Sequence, residues 1–154
     1  MAEQLTFMMG KYAAVMMPGL RYHRTHFWSR PSDTGSTFGF TSYAIRLMQD
    51  VYFLDWQVNA GDKVKLLEQI GHIETSKAVS DLFAPVAGMV KSFNQEVLSD
   101  PSLINVDGFG KGWLFEMECD ATAGMDVHEY MKFLEDNWEK TQRMLKGKIN
   151  SGDD

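Results

Sequence analysis

The sequence is short of thiols, of positive charge and of long apolar runs, and each shortage excludes something. One cysteine, Cys119, stands among 154 residues, so no internal disulfide can form and neither a zinc finger nor a Cys-x-x-Cys redox pair is possible. Lys and Arg number 15 against 21 Asp and Glu, a net charge of −6. That balance argues against a grip on nucleic acid built on phosphate neutralisation. The most apolar N-terminal stretch, Leu5 to Met17, is broken by Gly10 and Lys11 and is too short for a membrane span. It also lacks a basic leader and a small-residue cleavage site. These absences point to a cytoplasmic, acidic protein. What is present is ordinary for a globular domain: 44% hydrophobic and 23% charged residues, enough for one packed core at this length.

Three zones divide the chain. Residues 1–22 are Met-rich, end at Pro18-Gly19, and read as an appended arm or short helix. Residues 23–120 carry strand signals broken by turns: Val51–Val58, β-branched and aromatic, then Leu66–Ile73, Met89–Phe93 and Trp113–Cys119, the last alternating from Leu114 onward. A short helix is expected between Thr41 and Asp50 with Thr41 as N-cap, and another near Asp100-Pro101 with the aspartate capping. Residues 121–154 make a C-terminal helix and tail. Val127, Tyr130, Met131, Leu134, Trp138, Thr141 and Leu145 recur at steps of three or four. Asp126 and Glu129 open this helix and Lys140, Arg143 and Lys146 close it, the order its dipole favours. The tail from Asn150 is expected to fray. Many short strands with turns between them indicate a small sandwich or barrel.

The stretch Gly71 to Gly88 carries the chemistry. It reads as a strand, a polar tip holding Lys77, and a return strand fixed by Ala84-Pro85 and Gly88. A lysine at a hairpin tip has its ammonium in water and its stem free to swing, which suits a side chain that another enzyme must find and acylate. A plain solvated surface lysine is the alternative, and it describes most lysines.

The surrounding residues resemble the lipoylation hairpin of the glycine-cleavage H-protein family. Its run E-S-V-K-A-x-S-D-L-x-A-P-x-x-G is matched by Glu74-Thr-Ser-Lys77-Ala78, Ser80-Asp81-Leu82 and Ala84-Pro85-x-x-Gly88. The resemblance continues through Asn94, Pro101-Ser-Leu-Ile-Asn105 and Gly110-Lys-Gly-Trp113. Upstream, Gly39-Phe-Thr-Ser-Tyr-Ala44 is similar to G-I-T-x-Y-A, and His26-Phe27-Trp28 stands where the family has H-E-W. It spans residues 22–135. The implied fold is mainly β, a lipoyl-type barrel-sandwich hybrid of two small antiparallel sheets with short helices and a C-terminal α-helix, the lipoyl-bearing unit at 23–120. The implied cofactor is lipoate in amide linkage to Lys77, supported by Glu74, Ala78 and Asp81 and installed by a lipoyl ligase or transferase. The implied role is a carrier, with no catalytic residue of its own; the chemistry belongs to the cofactor.

Some positions depart from the family. The resemblance implies a loaded arm whose ammonium rests in a cleft with acidic walls; Asp81 matches one acid, but the glutamate of H-E-W is Phe27 here. His26 and Phe27 are therefore the cleft candidates, and a phenyl ring removes the anionic partner a buried cation needs. Gln49-Asp50 replaces the usual G-D/E, and Asp55-Trp56 stands at E-L-P. On these departures the favoured expectation is a paralogue. It resembles the lipoate-binding proteins that serve a heterodisulfide-reductase-like complex in cytoplasmic sulfur oxidation. The alternative is the glycine-cleavage H protein itself, working with the P, T and L proteins.

Other constellations carry less. His23 and His26 with His72 could be imagined as a metal set, but structural histidines are favoured and no metal is expected. Gly108-Phe-Gly-Lys-Gly112 lacks the Ser/Thr and the spacing of a phosphate loop and reads as a turn. A lipoyl domain of an acyltransferase is disfavoured because the segment from Asn94 to Trp113 follows the H-protein pattern. A module that kept the fold without the cofactor is the remaining class.

Overall fold

A computed structural model describes residues 5–153, with side chains through Lys140. The chain forms eleven strands and four helices among the described residues. A hairpin of β1 (Leu5–Met9) and β2 (Tyr12–Met16) comes first. Then follow β3 (Arg21–Tyr22), β4 (Phe27–Ser32), β5 (Gly35–Phe40), α1 (Ser42–Met48), β6 (Val51–Trp56), β7 (Lys63–Val64), β8 (Gln69–Thr75) and β9 (Val79–Phe83). The chain continues through β10 (Gly88–Phe93), α2 (Gln95–Ser99), α3 (Leu103–Val106), β11 (Phe115–Glu118) and α4 (Val127–Asp153). Pairing is antiparallel throughout: a six-stranded sheet β3-β4-β5-β11-β10-β7, a three-stranded sheet β6-β8-β9, and the β1-β2 hairpin. This is the mainly β barrel-sandwich architecture, with short helices and a C-terminal helix.

Two apolar clusters hold it together. In the first, Phe27, Phe38, Phe40, Val90, Phe115 and Met117 of the large sheet meet Val51, Leu54, Ile70, Ile73 and Leu82 of the small one. Each such side chain contributes about 1.5–3 kcal/mol by leaving water. The second joins Phe7, Met9, Ala14 and Met16 of the hairpin to Tyr22, Trp28, Tyr43, and to Val127, Tyr130 and Leu134 of α4. Trp28 lies across β5 because Gly39 has no side chain: a Cβ there would stand 2.5 Å from the indole. Its Nε1 donates to the Gly108 carbonyl at 3.0 Å.

Local chemistry explains the elements. Thr41 caps α1, its Oγ1 accepting from the Ala44 N–H. Asp126 and Glu129 cap α4 reciprocally, each carboxylate taking the other's backbone N–H at 2.8–3.0 Å. The expected stripe on α4 is buried at Val127, Tyr130 and Leu134 and half-buried at Met131 and Trp138; the side chains of Thr141, Arg143, Leu145 and Lys146 lie outside the described ones. The tail from Asn150 was expected to fray, yet α4 runs to Asp153, and Asp154 lies outside the described residues.

Several expectations are corrected. Residues 5–16 are neither arm nor helix but a hairpin. Phe7 and Met9, then Ala14 and Met16, face inward with a period of two, and the chain reverses at Gly10 with φ 64°. The strand expected from Leu66 begins only at Gln69, because Leu66 and Leu67 form an exposed turn whose Leu67 N–H bonds the Ala84 carbonyl. Near Asp100-Pro101 the helix starts at Leu103 after Ser102, and the Asp100 carboxylate instead takes the Ser102 N–H and hydroxyl. The helix α2, capped by Asn94, was not anticipated.

Candidate functional site

Lys77 sits at the tip of the β8–β9 hairpin. Thr75 shapes that tip: its Oγ1 accepts from the N–H groups of Lys77 at 3.1 Å and Ala78 at 3.2 Å, and its own N–H bonds the Ala78 carbonyl. The Ser76 N–H donates to the Asp50 carbonyl at 2.9 Å, tying the tip to the segment entering β6. The backbone beneath Lys77 is thus fixed while its side chain is exposed. Among the described residues no hydrogen bond or ion pair holds its ammonium. An unencumbered primary amine on a rigid turn fits amide formation with a carboxylic acid cofactor, and the free stem fits a mobile arm.

Register places the flanking residues. Glu74 is half-buried on β8 between Phe53 and Val79, and Asp81 on β9 pairs with His72. Asp81 is exposed and its Oδ1 accepts from Gln69 Nε2 at 3.1 Å; on the other side of His72 lies the Asp55 carboxylate, 4.0 Å from Nδ1. Ala78 follows Lys77 and closes the turn.

The two cleft candidates, His26 and Phe27, stand at the start of β4. Phe27 is fully buried, stacked on Phe40 at 5.0 Å and edge-on to Phe115 at 5.5 Å. It packs as a core residue, while Asp81 is exposed. His26 bonds the Tyr130 hydroxyl through Nδ1 at 2.8 Å and packs against Tyr43 and Phe133. Its partners belong to α1 and α4, not to the lysine hairpin. Burial pushes the His26 imidazole down to about 4, so the ring is neutral at ordinary pH. His23, bonded to Ser29 Oγ at 2.8 Å, is likewise pushed down to about 4 by burial, with the nearby Arg21 charge adding to it. The three histidines imagined as a metal set have separate partners, and no group of three metal-ligating side chains occurs among the described residues. The Gly108–Gly112 segment is a run of turns, as read from the sequence. Cys119 is half-buried and its thiol is pushed up by burial.

The sequence did not point to a polar groove of about 600 Å³ between α1 and the loop after α3. Arg46, Gln49 and Asp50 form one wall and Asn105, Asp107 and Phe109 the other. Asp50 is the residue whose carbonyl anchors the lysine hairpin, so groove and tip are joined through the backbone. The only signal in the sequence was Gln49 standing where a glycine was expected after α1.

Comparison with known proteins agrees with this geometry. The family model described as glycine cleavage H-protein matches residues 20–143. The chain belongs to the glycine cleavage H-protein family. It is 34% identical over 130 residues to the glycine cleavage system H protein of Carboxydothermus hydrogenoformans, covering 82% of this chain and 99% of that one. It is 40% identical over 117 residues to the H protein of Streptomyces coelicolor, covering 74% and 93%. The crystal structure of the H protein from Mycobacterium marinum superposes with a TM-score of 0.65 at 29% identity, covering 75% of this chain and 95% of that one. H-family proteins are lipoyl carriers, with lipoate held covalently on a lysine and no catalysis of their own. No helix among the described residues is long and apolar enough to cross a membrane.

Proposed function

We propose that Lys77 is the lipoylated residue of this H-family protein and that residues 23–120 form the lipoyl-bearing unit. The carrying observation is the free amine of Lys77 on a tip held by Thr75 and by the Asp50 carbonyl. The bound lipoate would supply the redox-active sulfur pair. The protein contributes a rigid root, loss of the lysine charge on amide formation, and a surface on which partners dock. Glu74, Ala78 and Asp81 frame the tip for the ligase or transferase that attaches the cofactor.

Relatives named as glycine cleavage H proteins support a carrier in that system, bearing an aminomethyl group between the P, T and L proteins. A lone, half-buried thiol at Cys119 fits a reducing cytoplasm. Phe27 favours a second reading, in which the arm carries sulfur intermediates for a heterodisulfide-reductase-like complex. The ring removes the carboxylate that would balance an ammonium, and a neutral or sulfur-bearing cargo does not need it.

Two measurements test these readings. Co-expression with lipoylation enzymes should give a lipoyl mass shift on the intact protein that vanishes in Lys77→Ala; no shift, or one that survives the substitution, overturns the carrier proposal. The lipoylated protein should then support glycine decarboxylation with the other cleavage proteins. Loss of activity of about a hundredfold or more relative to an H protein bearing the glutamate would favour the sulfur reading, since an unbalanced buried cation costs several kcal/mol.

A further inference from the structure

Two aromatic side chains stand in water beside the lysine hairpin, and the backbone puts them there. Between Val51 and Phe53 the register of β6 against β8 shifts, a bulge at Tyr52. Along an unbroken strand successive side chains alternate between the two faces. A bulge interrupts that alternation and re-aims a side chain. Tyr52 and Phe53 are therefore exposed in succession, at 66% and 45%, between the buried Val51 and Leu54.

The bulge lies at the root of the hairpin tip. Val51 pairs with Thr75, whose Oγ1 takes the Lys77 N–H. Phe53, Glu74 and Val79 form one row across the three-stranded sheet, and the Phe53 ring packs against His72 at 5.7 Å. Val79, 65% exposed, opens β9 two residues after Lys77. The next row is charged or polar: Asp55, His72 and Asp81. Apolar side chains thus sit nearest the tip with a polar band behind them, the centre-and-rim arrangement of a protein interface. Exposed apolar residues scattered singly need no explanation, but a group of them marks an interaction site.

Reach decides what covers this group. Acylation joins Lys77 Nζ to the carbonyl carbon of an activated acyl donor, an acyl adenylate or acyl thioester. The C–N bond forms as the bond to the phosphate or thiolate breaks, and the ammonium gives up two protons, to a base of the enzyme, the leaving group or water. An enzyme that does this brings its active site down to the lysine itself and so covers the row beside it. Enzymes that act on the sulfur end meet it a whole acyl chain farther out and need not touch the sheet.

We propose that Tyr52, Phe53 and Val79 are the docking face for the enzyme that acylates Lys77, which presents an apolar surface to them, an inference that rests on lipoylation of Lys77. The three residues set specificity by binding and take no part in the bond making, so their truncation raises KM for the carrier and spares kcat.

The test uses the unlipoylated full chain with its own lipoyl ligase or transferase and the matching acyl donor. Modification of wild type, and its absence in Lys77→Ala, is read first by intact mass, so failure of the lysine assignment is seen separately. Tyr52→Ser and Val79→Ser should each raise KM about fivefold or more, and the double variant further, with kcat within about twofold of wild type. Leu66→Ser, similarly exposed but in the turn before β8, at the other end of that strand, should change neither constant. Two readouts distinguish lost docking from a distorted tip. Acetylation of Lys77 by a small activated ester, and reduction of the lipoylated double variant by dihydrolipoamide dehydrogenase, should both run at wild-type rates. A double variant whose KM stays within about twofold of wild type, an equal loss in Leu66→Ser, or a matching loss with the small ester or the dehydrogenase would each overturn the proposal.

Discussion

Phe27→Glu is expected to destabilise the protein by about 5 kcal/mol or more, enough to unfold most of it given typical stabilities. The substitution removes a fully buried ring from between Phe40 and Phe115 and leaves a carboxylate among apolar side chains with no cation to pair it. Urea unfolding checks this directly, with Phe27→Leu as the conservative comparison, expected to lose about 1–3 kcal/mol. The substitution restores the acid of the family's H-E-W run, so its failure would mean that the neighbours have adapted to the ring. An unfolding midpoint equal to wild type would place the side chain at 27 in contact with water, as a role beside Asp81 requires.

The second large effect is a loss of stability in mild acid. His23 and His26 have folded pKa values near 4 against 6.5 in the unfolded chain, both lowered by burial. Between those values the unfolded state binds more protons than the native one, so stability falls as pH falls. The contribution is complete above 6.5, is lost progressively toward 4, and does not fall further below that. Each ring accounts for roughly 3 kcal/mol over the whole window. Unfolding free energies measured down through this range should steepen well before carboxylates titrate. In His26→Gln, whose side chain can still meet Tyr130, the slope should drop by about half. A slope unchanged by the substitution would mean that His26 titrates normally in the native state.

Much of this architecture was legible because its signals are local. Thr41 followed by Ala44, Ile45, Leu47 and Met48 specifies a capped helix, and Val51 to Trp56 is rich in β-branched and aromatic residues. The reversal of Glu74 to Gly88 was readable from the turn residues around Lys77. What was not legible depends on partners distant in sequence. The hairpin at 5–16 is apolar on one face only because α4 and Tyr43 cover it, and the run of methionines hides its period of two. Leu66 and Leu67 look like strand residues, yet they are more than half exposed, and Leu67 has φ 67°. The replacement of a family acid at Phe27 could be read as chemistry, but its ring stacking on Phe40 could not. The groove has no linear motif at all. Its walls come from 46–50 and 105–109, joined by the two hydrogen bonds of Asn105.

The second apolar cluster has a consequence for how the molecule is made. Phe7 meets Trp138 edge-on at 5.9 Å, and the first hairpin shares its interior with α4. During synthesis the opening strands leave the ribosome long before the helix that covers them. Phe7, Met9 and Met16 must then wait uncovered, and a nascent chain with such surface invites association with other chains. Assembly of this half of the molecule is therefore a late event, and a chaperone that shelters the early segment would raise its yield.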